Sequence, residues 1–319
     1  MAQRVEDSQV LPSLTHISHP TSHIPHPIKA SFLAACMVYF FHDHLHAHTS
    51  ISCRRSSRPS LGLVVVSHQR SMMNDKNRTI FVAGASGAIG RRLCRLLVDD
   101  GWAVVGTTRS KEKVSLLRDM GVEPAVVDVF DEVLLRDIVR TAQPEFVIHQ
   151  LTDLPPALDP TQMAEALVRN ARLREIGTHN LVVAAAAAGV KRMVAQSIAF
   201  VYAPGSRPYR EEMPLDLDNP DSGLTVRAVA SLERQVLSAP FEGIVLRYGR
   251  LYGPGTGFDN PPNEGPLHVD AAADAARRAI TRGEPGTYNI AEEDGTVSID
   301  KATDSLGWQP DFRLDEHIG

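Results

Sequence analysis

Thr79-Ile-Phe-Val-Ala83-Gly84-Ala-Ser86-Gly87-Ala88-Ile89-Gly90-Arg-Arg-Leu93-Cys94-Arg-Leu96-Leu97 runs from a β-branched apolar segment through a glycine-rich turn into a helical pattern. The first five residues predict a strand, and Ile89, Leu93, Leu96 and Leu97 fall on one face of a helix. A strand–turn–helix of this kind leaves backbone N–H groups unpaired at the helix N-terminus. They point, with the helix dipole, at whatever anion docks there, usually a pyrophosphate. The glycines permit the tight turn, the close approach of backbone to phosphate, and close packing of helix on strand. A glycine turn alone serves many purposes; the strand before it and the helix after it make this one a dinucleotide cradle. Gly84, Ser86, Gly87, Ala88, Ile89 and Gly90 are therefore the expected phosphate-side residues.

Outward from that stretch, strands and helices alternate. Strands are expected over 102–107, 122–127, 144–149 and 191–197, with helices over 111–120, 161–188 and 223–238. Repeated βαβ units imply an α/β fold with a doubly wound parallel sheet, Rossmann-like. The second strand ends in Thr107-Thr108-Arg109-Ser110, where an NAD-specific site carries a carboxylate for the ribose hydroxyls. An arginine there matches a 2′-phosphate through its planar fork, which makes NADP(H) the preferred cofactor and NAD(H) the alternative. The plainer reading of Arg109 is a surface residue opening the next helix. Asp131 is placed to cap the following helix, His149 reads as a packed structural histidine, and Cys94 as a small buried hydrophobe.

The Gly-x-x-Gly-x-x-Gly spacing resembles the short-chain dehydrogenase/reductase superfamily, and later residues resemble its extended branch, the NAD(P)-dependent epimerases and dehydratases. Gly177-Thr-His-Asn180-Leu is similar to that branch's Gly-Thr-x-Asn-Leu helix. Ser197-Ile-Ala-Phe-Val-Tyr202 resembles its Ser-Ser-x-x-Val-Tyr strand end. Arg247-Tyr-Gly-Arg250-Leu-Tyr252-Gly-Pro-Gly255 resembles Arg-x-x-Asn-Val-Tyr-Gly-Pro-Gly, with Arg250 in place of the asparagine. Leu306-Gly-Trp308-Gln-Pro310 matches its C-terminal Leu-Gly-Trp-x-Pro. The resemblance implies adenine contacts from Asp128 and Val129, and places Leu151 and Thr152, where the family has alanines, beside the nicotinamide ribose. It also implies a homodimer, since members often pair through helices like 161–188 and 223–238.

One departure bears on chemistry. The family works through a Tyr-x-x-x-Lys pair plus a Ser or Thr; the lysine lowers the tyrosine pKa so that the phenol can exchange a proton during hydride transfer. Here Thr225 and Val229 occupy those two positions, and there is no lysine between Lys191 and Lys301. The serine position falls on Ile198, with Ser197 one residue before it. Ser197 and Tyr202 are left as the candidate catalytic residues, with Tyr209 and Arg227 as further stand-ins for the missing acid. The spacing from Gly255 to His268 is also short, about a dozen residues, which implies a reduced substrate lobe over about 253–319.

The 319-residue chain is 43% hydrophobic and 22% charged, as globular proteins are. Its formal charge of -5 divides into about +3 over residues 1–72 and about -8 over the rest; an acidic body argues against nucleic acid as partner. Three cysteines offer neither a disulfide framework nor metal-ligand spacing, which suits a reducing compartment. Residues 1–74 hold nine of the thirteen histidines and an Arg- and Ser-rich stretch free of acids after Asp43. They read as a disordered or targeting extension ahead of a domain over 75–319. The apolar run 30–41 falls well short of the ~20 residues that span a bilayer. Alternate histidines from His42 to His48 could share a strand face and bind a metal, though a polar tract is the simpler account. The expected location is the cytoplasm, or the mitochondrion if the leader is a transit peptide. The expected function is an NAD(P)-dependent oxidoreductase or epimerase/dehydratase-like protein acting on a small carbonyl or sugar-derived molecule. The alternative is a non-catalytic NADP(H)-binding sensor.

Overall fold

A computed structural model describes residues 78–314; the extension 1–74, with its histidine tract, Cys36 and Cys53, lies outside the described residues. Seven strands form one parallel sheet: β1 (Thr79–Ala83), β2 (Ala103–Thr108), β3 (Glu123–Val126), β4 (Phe146–His149), β5 (Arg192–Ile198), β6 (Glu242–Tyr248) and, late in the chain, β9 (Gly286–Ile290). Their order is β3-β2-β1-β4-β5-β6-β9, the doubly wound arrangement expected. Between β6 and β9 lie β7 (Arg250–Tyr252) and β8 (Pro266–His268), which pair only with each other.

The helices are α1 (Ala88–Asp99), α2 (Val114–Asp119), α3 (Glu132–Ala142), α4 (Met163–Arg172), α5 (Thr178–Ala187), α6 (Gly223–Leu237), α7 (Val269–Ala279) and α8 (Asp300–Leu306). Alternation along β1 assigns them to two layers. Ile80 and Val82 face one core with Leu93 and Leu97 of α1 and the alanines of α7. Phe81 and Ala83 face the other, with Leu135 and Val139 of α3, Leu181 of α5 and Leu232 of α6. Asp131 caps α3 through a hydrogen bond from Leu134 N–H (3.0 Å). Cys94 is buried and free, and burial pushes its thiol up to about 12.

The expected helix over 161–188 is one rod with a defect. From α4 it widens into a π turn at Leu173–Gly177 before resuming as α5. The turn sets Gly177 against β3's outgoing chain, where a Cβ would lie 2.9 Å from Val129 Cγ1.

The described part of 253–319 is built largely into the core. The buried Ala271, Ala272, Ala275 and Ala276 let α7 pack closely on α1, β9 extends the sheet beside β6, and α8 covers β9. The chain then turns at Gly307, and the fully buried Trp308 donates its indole N–H to Ala271 O (2.8 Å). Arg278 and Arg282 donate to the carbonyls of Gly307 and Leu306, fixing the same turn. Among the described residues no helix is long and apolar enough to cross a membrane.

Candidate cofactor and substrate site

In a doubly wound sheet the strand ends diverge where consecutive crossovers run to opposite faces, here between β1 and β4. A cleft of about 460 Å³ opens at that place, on the carboxyl edge of the sheet. Gly84, Ser86 and Gly87 form one wall. Gly84 sits at φ +91°, and a Cβ there would come within 2.6 Å of Gln150 O; one at Gly90 would lie 2.1 Å from Gly84 O. These two glycines bring β4's exit, the turn and α1 together. At Gly87 an added Cβ would meet only Gly84 O, at 3.4 Å, so the opening of the helix faces free space. The turn is also tied laterally, with Gly84 N–H donating to Thr107 Oγ1 and Ser86 Oγ to Thr108 Oγ1 (both 3.1 Å).

The sequence-derived residues divide cleanly. Gly84, Ser86, Gly87, Arg109, Asp128, Val129, Leu151 and Thr152 all line the cleft. Ala88, Ile89 and Gly90 stand behind it in the first turn of α1, with Ile89 packed into the core. Lys113, Ser110, Gln150 and Leu173 line it as well and were not anticipated. Lys113 lies four residues past Arg109, at the end of a short 3-10 turn, so a search for a second cation near the first would have found it. Arg109 holds Asp153 across the mouth at 3.2 Å, in an exposed pair. Asp128 Oδ1 accepts from Phe130 N–H. Gln150 donates its amide to the Tyr248 hydroxyl (3.3 Å), and its Oε1 is left buried without a partner. An open helix N-terminus, a cation pair at the β2 end and an orphaned acceptor in the wall are features a dinucleotide would satisfy.

The Gly-Thr-x-Asn-Leu motif has a structural task. Asn180 donates to Val129 O (3.0 Å), Thr178 pairs with His149 Nε2 (3.0 Å), and Asn170 Oδ1 accepts from Asp153 N–H (3.0 Å). One helical rod thus holds the chain leaving β3 and the chain leaving β4. His149 Nδ1 accepts from Leu151 N–H (3.2 Å), so the ring proton sits on Nε2 and is donated to Thr178. Burial, and then the Arg174 charge, push this imidazole down to about 4 from 6.5. The unfolded chain therefore binds a proton between those values that the folded chain refuses. Stability should fall as pH drops from 6.5 toward 4, by up to about 3 kcal/mol from this group. Urea unfolding across that range should show a shallower loss for His149→Asn, and an identical slope would remove the assignment.

The helix that carries the acid–base pair in the resembling family is α6. Val229 is fully buried, packed with Val201 and Val226, and Thr225 is 7% exposed. Ser197 and Tyr202 belong to a buried network around α6 and β6. Glu233 accepts from Ser197 Oγ (2.7 Å) and from Arg247 Nε and Nη2 (2.9 and 2.6 Å). Tyr202 donates to Asn289 Oδ1 (2.6 Å) and accepts from Arg247 (2.8 Å). Burial pushes the Tyr202 phenol up, with Arg247 pulling the other way. Burial also works against the Arg247 charge, but Glu233 outweighs it and holds the guanidinium above its usual range. Ser197 lines neither the cleft nor the smaller cavity beside it; Tyr202 lines the smaller cavity.

Residues 80–269 match the family model described as the NAD-dependent epimerase/dehydratase family. A 3-diazoavenalumate denitrifying reductase from a Streptomyces species is 40% identical over 242 residues, spanning 67% of this chain and 76% of that protein. Cinnamoyl-CoA reductase 1 of Petunia hybrida is 33% identical over 139 residues, 41% of this chain and 38% of that one. Among solved structures, the UDP-glucose 4-epimerase of Thermotoga maritima, determined with UDP-glucose, superposes with a TM-score of 0.60 at 18% identity, covering 74% of this chain and 94% of that one. The Bordetella bronchiseptica enzyme WbmH, determined with NAD+, gives 0.55 at 20% identity over 67% and 75%. The family model and the 40% identical reductase support an NAD(P)-dependent oxidoreductase or epimerase-like function, and neither supports a non-catalytic binder. The chain belongs to the NAD-dependent epimerase/dehydratase family.

Proposed function

We propose that this protein is an NADP(H)-dependent reductase whose acceptor takes up hydride without a proton from the protein. One observation carries the reading: a complete dinucleotide cleft stands beside a helix whose acid–base positions are Thr225 and the buried Val229. Gly84, Ser86 and Gly87, with the amides opening α1, would take the pyrophosphate. Asp128 and Val129 would take the adenine, and Leu151 and Thr152 the nicotinamide ribose. Arg109 and Lys113 would share the 2′-phosphate, with Arg109 exchanging Asp153 for it. When bound, the reduced nicotinamide supplies a hydride and leaves oxidised. A carbonyl that accepts hydride becomes an oxyanion and needs an acid; no phenol–ammonium pair is present on α6 to provide one. A cationic acceptor is neutralised by the hydride itself, and a neutral, strongly electron-poor one becomes a delocalised anion that solvent can protonate. The 40% identical relative is named for a diazo compound, which is an acceptor of that electronic kind. Ser197 and Tyr202 would act indirectly, through the Glu233–Arg247 network, which holds the chain leaving β5 as a wall of the smaller cavity.

The test is calorimetric titration with NADPH and NADH separately. Arg109→Ala should weaken NADPH by roughly tenfold or more while leaving NADH nearly unchanged; equal losses would refute the 2′-phosphate assignment. Light scattering on the same samples reads the homodimer, which the exposed Val168 and Ile176 on one helical rod and Leu224 and Leu237 on α6 support.

A further inference from the structure

A second, smaller cavity of about 190 Å³ lies on the same carboxyl edge of the sheet, above β5 and β6. Its walls are the chain leaving β5 (Phe200, Tyr202), the start of β7 (Arg250), and the loops bearing Arg207, Tyr209 and Glu264. Since β5 is the neighbour of β4, whose exit Gln150-Leu151 lines the dinucleotide cleft, the two cavities are adjacent along one edge. The position suits the molecule that is reduced.

The lining has a definite chemistry. Tyr202 and Tyr209 stack with ring centroids 5.2 Å apart and planes 9° from parallel. Phe200 presents a third ring, half-exposed, with the Arg250 guanidinium 4.6 Å from its centroid. Arg207 is neutralised by Glu264 at 3.1 Å. Arg250 makes no ion pair and no side-chain hydrogen bond among the described residues; its only partner is the Phe200 ring, which leaves its N–H edge open. Arg207, Glu264 and Arg250 together give the lining one uncompensated positive charge. A guanidinium held over an aromatic ring, with its donor edge free, matches a planar carboxylate carried on a conjugated ring. At about 190 Å³ the cavity is below the roughly 300–1,000 Å³ of drug-sized ligand sites and suits a single-ring acid.

We propose that this cavity binds a small aromatic monocarboxylate, with Arg250 pairing the carboxylate and Phe200 and the Tyr202–Tyr209 stack holding the ring. The proposal rests on the reductase reading only in treating that acid as the molecule reduced; binding itself is independent of it. The test uses the full chain, with and without NADPH, titrated calorimetrically with cinnamate and with its neutral amide, cinnamamide. The acid should bind more tightly by roughly ten- to a hundredfold, the range of a hydrogen-bonded charge. Arg250→Gln should bring the two ligands to equal affinity, and Phe200→Ala should weaken both. Equal binding of acid and amide by the unaltered protein, or binding of neither, overturns the proposal whatever the variants do. NADPH binding without cinnamate binding would sink this inference alone; cinnamate binding without any dinucleotide binding would sink the reductase reading alone.

Discussion

Glu233→Ala should destabilise the fold by about 3–5 kcal/mol, because it strands the Arg247 guanidinium in the interior. The two side chains are 6% and 7% exposed and joined by two hydrogen bonds, so water cannot replace the missing carboxylate. The same change removes the acceptor of Ser197 and loosens the guanidinium that Tyr202 leans on. Urea unfolding measures the loss. Because the penalty comes from an uncompensated charge rather than from a lost attraction, the double variant Glu233→Ala/Arg247→Met should recover most of it. A double variant no more stable than the single one would show that packing, not charge, dominates there.

Trp308→Ala should cost a similar amount, about 3–5 kcal/mol, by opening a cavity between α7, α8 and the outgoing chain. Trp308 is fully buried and its indole N–H is satisfied by Ala271 O. Trp308→Phe separates the two contributions: it keeps most of the apolar volume and loses the hydrogen bond, so a loss of about 1 kcal/mol is expected. Thermal melts of the three proteins should rank in that order. Equal melting temperatures for the unaltered protein and Trp308→Ala would mean that the C-terminal turn is not part of the cooperative unit.

What the sequence made legible is what local physics dictates. The glycine turn, the cap at Asp131, the buried Cys94 and the packed His149 each follow from a few neighbouring residues, and the alternation of strands and helices fixes the sheet type. Absence was legible too: Thr225 and Val229 could be located by counting from Tyr202 and Glu233. The network tying Ser197, Tyr202, Glu233, Arg247 and Asn289 was not, because its members come from four separated segments that only the sheet order brings together. The reach of Lys113 into the cleft was hidden behind the stronger signal of Arg109. Arg250 was visible as a replaced asparagine, yet its partner Phe200 lies fifty residues earlier and has no sequence signature of its own.

β9 comes from near the chain's far end, yet it is bonded along five residues of β6. Any form of this protein cut short before Gly286 would leave β6 as a bare margin, with a row of amide and carbonyl groups looking for a new companion. Such a product would sooner pair with its own kind than stay dispersed. Proteolysis ahead of Gly286 is thus a route to aggregates rather than to a leaner protein.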